Sequence, residues 1–394
     1  MSNAPPPAAA AAPSHSCKVI LANTIAKVLV SEIQAGLAAL NDQRQHQQQH
    51  QDGPQPPPQP PHLLGILANG DPAAQTYARW TEKTCHDLGF AYTLLQVEKD
   101  SVEETILAAN ADPRYDGLIV YYPIYGGRQD QYLQNVVSVD KDVEGLSHLY
   151  VFNMYQNVRF LDAPPPDGLG PARKSILPCT PLAVIKILEY LHIYNPILPY
   201  GNRLFGRTIC VVNRSEVVGR PLAALLANDG ACVYSVDVSG VQQFTRGEGI
   251  RKRKHEVVDK EGWTINDCAP LCDVVITGVP GEAYKFPCHL LKEGAVCINF
   301  SSEKNFPPEV KEKASIYVPA IGKVTIVVLL RNLLRIVQNR QAQQQNELAQ
   351  RSEGRVATSC GESYLLPNAK TQTQLEVAHA RTDPPTTTMN GAAS

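Results

Sequence analysis

The chain has no uninterrupted apolar stretch near the roughly 18 residues that cross a bilayer, which excludes a helical membrane protein. Net charge is almost absent: 36 Lys and Arg against 38 Asp and Glu leave −2. Neither nucleic acid nor an anionic membrane therefore has an electrostatic reason to bind. Ten cysteines are present, yet none forms a C-x-x-C pair, and Cys210, Cys232 and Cys297 sit inside apolar strand patterns. They read as reduced, buried thiols rather than disulfides or zinc ligands, and no metal site is expected. G-x-S-x-G, H-E-x-x-H and a Walker loop are also missing, so hydrolase, metalloprotease and P-loop chemistry lack support. The N-terminus shows no basic region before its alanines and no Arg-rich amphipathic pattern. A cytoplasmic location is therefore expected. The short cluster Arg251-Lys252-Arg253-Lys254-His255 reads as a solvated loop or as a nuclear or nucleic-acid patch, which leaves nuclear access open.

What is present fits two α/β domains, for which 394 residues are long enough. The most informative stretch is 206–237, GRTICVVNRSEVVGRPLAALLANDGACVYSVD. Residues 208–212 are a short β-branched run of the kind a buried parallel strand uses. A turn follows, Pro221 suits a first helical position, and a helix over 221–228 closes near Asp229-Gly230. A second strand, 231–236, ends at Asp237. Strand, turn, helix, strand and acid in about thirty residues match one dinucleotide-binding βαβ unit. The G-x-G-x-x-G fingerprint is absent, because Asn213 and Ser215 stand where its first two glycines belong and only Gly219 remains. The helix N-terminus offers unpaired N–H groups to a pyrophosphate. Asp237 would accept ribose hydroxyls and repel a 2′-phosphate, which favours NAD over NADP.

Along the rest of the chain, residues 1–16 have the composition of a disordered segment. A strand is expected at 18–21 and a helix over 25–40. The Gln/Pro-rich stretch 42–61 reads as a flexible insertion, its histidines leaving metal binding as the other option. Strands at 63–67, 90–97 and 117–122 alternate with helices at 73–88 and 101–109, which predicts a parallel sheet. A helix over 130–137, a polar turn at 142–145 and a loop at 163–172 follow. Thr180 and Pro181 suit an N-cap and a first helical position, opening a helix to about His192. After the βαβ unit come a basic polar loop (240–262), a strand (273–277), a turn (278–281) and a helix near 287–291. Strands at 295–299 and 315–317 precede an apolar helix over 325–337. The domains read as 17–178, an N-terminal α/β domain, and 179–325, a Rossmann-like domain. A helix over 326–339 returns to the first domain, and 340–394 is a disordered tail.

Open α/β sheets bind ligands beyond the carboxyl ends of their strands. The phrases that fall there and nearby are NGDPAAQTYARWTEK, YYPIYG, KDVEGL, ILPCTPLAVIKIL, VVNRSEVVGRPLAALLANDGACVYSVDV, DVVITGVP and PAIGKVTIVVLL. Taken in order over about 17–338, they resemble the methylenetetrahydrofolate dehydrogenase/cyclohydrolase family, and most of all its fungal, NAD-dependent, monofunctional branch. The resemblance implies hydride transfer from 5,10-methylenetetrahydrofolate to NAD, giving 5,10-methenyltetrahydrofolate in one-carbon metabolism that supplies purine synthesis. It also implies folate in a cleft between the domains and a homodimer paired through the second one. Bifunctional members carry Y-x-x-x-K, whose lysine drives hydrolysis of the methenyl product. Here Tyr77-Ala78-Arg79-Trp80-Thr81 puts Thr81 at that position, and Lys83 lies about 200° around the helix. Tyr121 replaces the glutamine before L-P, and Glu144 the aspartate of D-V-D-G. These losses argue against cyclohydrolase activity, whereas hydride transfer chiefly needs alignment. A bifunctional enzyme and a catalytically silent NAD- or folate-binding regulator are the alternatives.

The same resemblance assigns side chains. Tyr77 stacks on the pterin or benzoyl ring, or packs on a helix neighbour; Thr81, Tyr121 and Pro319 line the folate, and Glu144 holds the pterin edge. Cys179 is a catalytic or substrate-proximal thiol, its pKa lowered at a helix N-terminus, or a small residue filling a prolyl turn. Arg214 and Ser215 touch the pyrophosphate or ribose, unless Arg214 pairs with Glu216. Gly219 lets the backbone approach, and Asp237 holds the adenosine ribose with Val238 by the adenine. Gly278, Val279 and Pro280 lie by the nicotinamide ribose.

Overall fold

The computed structural model describes residues 16–49, 59–162, 172–246 and 254–359. Expectations for 1–15, for 50–58 of the insertion, for the loop 163–171, for 251–253 of the basic cluster and for the tail from 360 lie outside the described residues. The described residues up to Gln344 form one compact unit, and 345–359 belong to a second and are helical.

The first half runs β1 (Lys18–Val19), α1 (Ala22–Gln49), β2 (His62–Leu67), α2 (Pro72–Leu88), β3 (Ala91–Gln96), α3 (Val102–Ala111), β4 (Gly117–Val120), α4 (Arg128–Val136) and α5 (His148–Tyr155). Three of its strands form a parallel sheet in the order β3-β2-β4. β2 is apolar on both faces: Leu63 and Leu67 enter one core, Leu64 and Ile66 the other, as the two-residue period requires. Each such buried side chain stabilises the sheet by roughly 1.5–3 kcal/mol. α2 starts where Asp71 accepts the Ala73 amide at 3.1 Å with Pro72 behind it, and stops at Gly89, whose φ of 82° suits glycine.

The second half adds α6 (Cys179–Tyr190), β5 (Thr208–Val212), α7 (Gly219–Asn228), β6 (Cys232–Asp237), β7 (Gly240–Thr245), β8 (Glu256–Lys260), α8 (Ile265–Cys268), β9 (Val274–Thr277), β10 (Val296–Asn299), α9 (Val310–Lys313), β11 (Ile316–Val318) and α10 (Gly322–Ser359). The sheet is eight-stranded, β1-β11-β10-β9-β5-β6-β7-β8, parallel except at β7 and β8. α10 packs back on the first half. A Cβ on Gly117 would lie 2.7 Å from Leu333, and one on Gly36 would lie 2.6 Å from Leu334.

Several local expectations are corrected. β1, expected only as part of the N-terminal domain, joins β11 in the large sheet. The stretch 240–262 holds an antiparallel hairpin, not a loop; only Val241 and Phe244 of β7 are buried, too few to show an alternating pattern. α6 begins at Cys179, one residue before the expected cap, so Pro181 is its third residue; likewise Pro221 is third in α7. Both prolines remain within the first turn, where an N–H has no helical partner to lose. α1 continues into the Gln-rich stretch to Gln49, and α10 passes 339 to Ser359, because Gln, Ala, Arg and Glu are good helix formers whatever their compositional bias. The helix near 287–291 is a short 3-10 turn, Cys288–Leu290.

Candidate functional site

The order β3-β2-β4 sends the chain to opposite sides of β2, so a crevice opens beyond β2 and β4. Asn69 spans it, its Nδ2 donating to the carbonyls of Tyr121 and Pro123 at 2.9 Å each. The Tyr122–Pro123 bond held there is cis. Tyr121 is buried, its hydroxyl 2.9 Å from that of Tyr92 and bonded also to Thr81. Its ring meets Tyr77 edge to face, centroids 6.1 Å apart at 76°. Burial pushes the Tyr121 phenol up to about 12 and Tyr77 well up, so this wall is uncharged. Thr81 is fully buried and donates to the Tyr77 carbonyl at 2.9 Å, while Lys83 points outward to Asp87 at 3.1 Å.

Opposite lies the turn after Lys141. Asp142 is buried and accepts the amides of Gly145 (2.9 Å) and Ser147 (2.7 Å). Gly145, at φ 71°, passes so near Leu177 that a Cβ would lie 2.7 Å from its carbonyl carbon. This tight turn seats Glu144, whose Oε2 accepts the Val120 amide at 3.2 Å. Burial, then the Asp142 charge, push the Glu144 carboxyl up to about 8 against that hydrogen bond. At neutral pH it carries its proton. Tyr77, Glu144 and Cys179 are close enough to act on one another electrostatically, so the structure brings these three expected residues together.

Cys179 corrects the expectation of a dipole-activated thiol. Its Sγ donates to the Val143 carbonyl at 3.2 Å and its amide to the Glu144 carbonyl at 3.2 Å. Burial, Glu144 and Asp142 raise the thiol well above its ordinary value, against a hydrogen bond from Asn332. Asn332, on α10, went unnoticed in the sequence, although it is an isolated amide in an apolar helix. Its Nδ2 lies 2.9 Å from the Val143 carbonyl, 3.0 Å from the Leu177 carbonyl and 3.5 Å from Cys179 Sγ. Tyr122 also escaped notice as a site residue; its buried hydroxyl has no partner among the described residues. Pro319 follows β11 on the other sheet, its carbonyl taking the Asn299 amide at 3.0 Å.

The second crevice lies between β5 and β9, where the large sheet changes winding direction. Asn213, at φ 124°, spans it by donating to the Gly278 carbonyl at 2.6 Å and accepting the Ser215 amide at 2.6 Å. Ser215 Oγ accepts the amides of Val218 and Gly219 at 3.3 Å, at the start of α7. A Cβ on Gly219 would lie 1.8 Å from the Asn213 carbonyl oxygen, so packing inside the loop demands this glycine. Gly278 is demanded similarly by the Phe300 ring, 1.8 Å from a Cβ there. Asn305, fully buried and also unforeseen, fixes the next residue by bonding the Val279 amide (2.8 Å) and carbonyl (2.9 Å).

Beside this loop is a cavity of about 580 Å³. Arg214, Ser215, Asp237, Val238, Val279 and Pro280 all line it, together with Trp263 and Tyr284, which the sequence did not single out. Gly219 and Gly278 shape its rim without lining it. Arg214 is not paired with Glu216, which bonds Arg220 instead. Its guanidinium donates to Ser235 Oγ (3.2 Å) and carbonyl (2.6 Å), to Ser239 Oγ (3.0 Å) and to the Gly240 carbonyl (2.7 Å). Asp237 and Val238 are exposed at the mouth. The start of α7 does not offer the unpaired amides expected of it, since Gly219 bonds Ser215 Oγ and the amides of Arg220 and Leu222 bond the carbonyls of Ser215 and Val218. An acid at a strand end, a glycine cradle and the buried Tyr284 hydroxyl, without a partner among the described residues, fit a dinucleotide.

Comparison with known proteins agrees with both crevices. The family described as tetrahydrofolate dehydrogenase/cyclohydrolase, catalytic domain, matches residues 20–144, and its NAD(P)-binding domain matches 178–250. A Schizosaccharomyces pombe protein named methylenetetrahydrofolate dehydrogenase [NAD(+)] is 55% identical over 82% of this chain and 94% of its own length. A Saccharomyces cerevisiae protein of the same name is 58% identical over 70% of this chain and 86% of its own. The solved structure of the NAD-dependent 5,10-methylenetetrahydrofolate dehydrogenase from Saccharomyces cerevisiae superimposes with a TM-score of 0.75 at 52% identity, covering 83% of this chain and 98% of that one. With a βαβ nucleotide crevice, a second ligand crevice and relatives of this closeness, the chain belongs to the tetrahydrofolate dehydrogenase/cyclohydrolase family.

Proposed function

We propose that this protein is an NAD-dependent 5,10-methylenetetrahydrofolate dehydrogenase that forms 5,10-methenyltetrahydrofolate and does not hydrolyse it. The observation that carries the second clause is Thr81. It stands where bifunctional members have lysine, and it is fully buried with its hydroxyl on the Tyr77 carbonyl. Neither Lys83, held outside by Asp87, nor Lys141, held by the carbonyls of Ala109 and Asp112, replaces that lysine.

Tyr77, Tyr121 and Glu144 would bind the folate rings, Thr81 holding the Tyr77 backbone and Pro319 closing the far side. Neutral Glu144 presents a hydroxyl donor and a carbonyl acceptor to the pterin edge, which an ionised carboxylate would not. Loss of hydride leaves the one-carbon unit cationic, and the uncharged tyrosine wall offers no base to activate water against it. Cys179 lines this site as a neutral donor that fixes the Val143 carbonyl. When bound, NAD supplies the hydride acceptor. Ser215 and the loop before α7 would hold its pyrophosphate, Asp237 its adenosine ribose with Val238 by the adenine, and Gly278, Val279 and Pro280 its nicotinamide ribose. Arg214, with its donors engaged on β6 and β7, keeps the adenosine end in shape and has little left for a 2′-phosphate. A homodimer paired through the second half, a cytoplasmic location and a supply of one-carbon units to purine synthesis complete the proposal.

The test is absorbance of methenyltetrahydrofolate with methylenetetrahydrofolate and either NAD or NADP. Product that forms with NAD and then persists is expected. Equal rates with NADP would remove the role given to Asp237, and enzyme-dependent decay of the product would restore the bifunctional alternative.

A further inference from the structure

Away from both crevices, a cavity of about 270 Å³ lies between α6, α7 and α10, closed by segments 153–160 and 174–177. Its floor is apolar, built from Met154, Leu182, Ile185 and Leu225. Its wall is cationic: Arg159, Lys174, Lys186, Arg203, Arg331 and Arg335 face only two acids, Glu189 and Asp229. Asp229 is taken by Arg159 at 2.9 Å and Glu189 by Lys186 at 2.7 Å. Arg331 turns to Glu32 at 2.9 Å. Lys174 Nζ and the Arg335 guanidinium have no ion pair or hydrogen bond among the described residues, and Arg203 Nε is buried without a partner. Arginine keeps its proton in a protein. Arg335, buried beside Arg331, shares with it the single charge of Glu32, so positive charge is in excess there, and Lys174 feels both arginines as well as Glu32.

We propose that this cavity binds a small organic anion with at least two negative charges, carboxylate or phosphate, whose apolar part rests on the floor. Arg335 and Lys174 would take the acidic groups, Arg335 through its two-pronged N–H geometry. The cavity is also wired to the folate crevice. Leu177 and Asn332 line it, and Asn332 is the residue whose amide meets the Val143 and Leu177 carbonyls and Cys179 Sγ. An anion that shifts α10 or the Leu177 segment alters the seat of Glu144, and folate binding alters anion affinity equally. Binding itself is independent of the proposed activity; only the kinetic readout rests on it.

The test uses the full chain, titrated with phenyl phosphate in one arm and phthalate in the other, against chloride at matched ionic strength. Calorimetry and the thermal midpoint report binding, and folate KM reports coupling. Saturable binding in one arm is expected, weakened about 10-fold or more by Arg335→Gln or Lys174→Gln, with the shift in folate KM lost in the same variants. Lys174→Gln carries the test should Arg335→Gln fail to fold. Responses that follow ionic strength alike in wild type and variants would overturn the proposal. So would sedimentation showing that a second copy of the chain covers this face while neither anion binds.

Discussion

At the end of the small sheet Asn69 reaches across to the carbonyls of Tyr121 and Pro123; at the end of the large sheet Asn213 reaches across to that of Gly278. The same amide bridge thus spans two crevices of the same topological origin. What surrounds each bridge differs. The small-sheet crevice is lined by phenols and a carboxyl that burial keeps neutral. The large-sheet crevice is an open cavity with Asp237 at its mouth and a guanidinium clamped to backbone. One suits a ring system that gains charge as it reacts, and the other a ligand charged throughout. Electrostatics, rather than topology, separates the two roles.

The largest effect should come from filling the cradle of the second crevice. Gly219→Ala forces a methyl into the Asn213 carbonyl and should reduce kcat/KM for NAD on the order of 100-fold, as misplacement by about 1 Å does. Stopped-flow or steady-state titration with NAD checks it, and folate affinity measured by fluorescence should stay within about 3-fold of wild type if the crevices are separable.

Next, Thr81→Lys places an ammonium in a fully buried position of the first crevice. It should destabilise the fold by several kcal/mol and produce no decay of methenyltetrahydrofolate. Denaturant melts and the absorbance assay decide; vigorous hydrolysis by this single variant would show that the pocket is more open than its geometry implies.

Glu144→Gln sharpens the comparison through pH. The Glu144 carboxyl sits at about 8 in the fold against an ordinary 4.5. Between those values the folded state holds a proton that the unfolded state has released, so stability falls as pH rises through this window and levels off above 8. The glutamine variant lacks this slope. Its melting temperature should gain on that of wild type from pH 5 to pH 8 and run parallel above, a difference on the order of a few kcal/mol.

The smallest effect is expected at Cys179. Cys179→Ser keeps a donor toward the Val143 carbonyl, and the thiol is not ionised, so kcat should change by less than about 5-fold. Iodoacetamide should label native wild-type Cys179 slowly; rapid, activity-linked labelling would restore a nucleophilic role.

Much of this was legible beforehand, and the misses are of two kinds. Strand and helix alternation exposed both parallel sheets, and the spacing of Asp237 and Gly219 after β5 located the nucleotide crevice. Motif position placed Tyr77, Glu144 and Cys179 together. Illegible were the residues that act through space from distant segments. Asn332 lies 153 positions from Cys179 and 189 from Val143, and Asn305 lies 26 from Val279. No local period marks such residues, because their role is set by which helix or loop returns to the site. Cys179 shows a second kind of miss. A helix start argues for a lowered thiol pKa, but burial and two nearby carboxyls outweigh a partial charge that acts within one turn.

β1 carries a consequence of another kind. Lys18 and Val19 pair with Ile316 and Tyr317, so the large sheet takes its edge strand from the start of the chain and that strand's neighbour from nearly three hundred residues later. During synthesis β1 is made before every other strand of this sheet and waits for β11, the last of them to be made. The small sheet can assemble early from contiguous chain, whereas the large one stays open-edged until residue 318 is made. A protein cut between its halves would leave each fragment without a strand or helix that the other supplies. Co-expression of the two pieces should therefore restore what neither achieves alone.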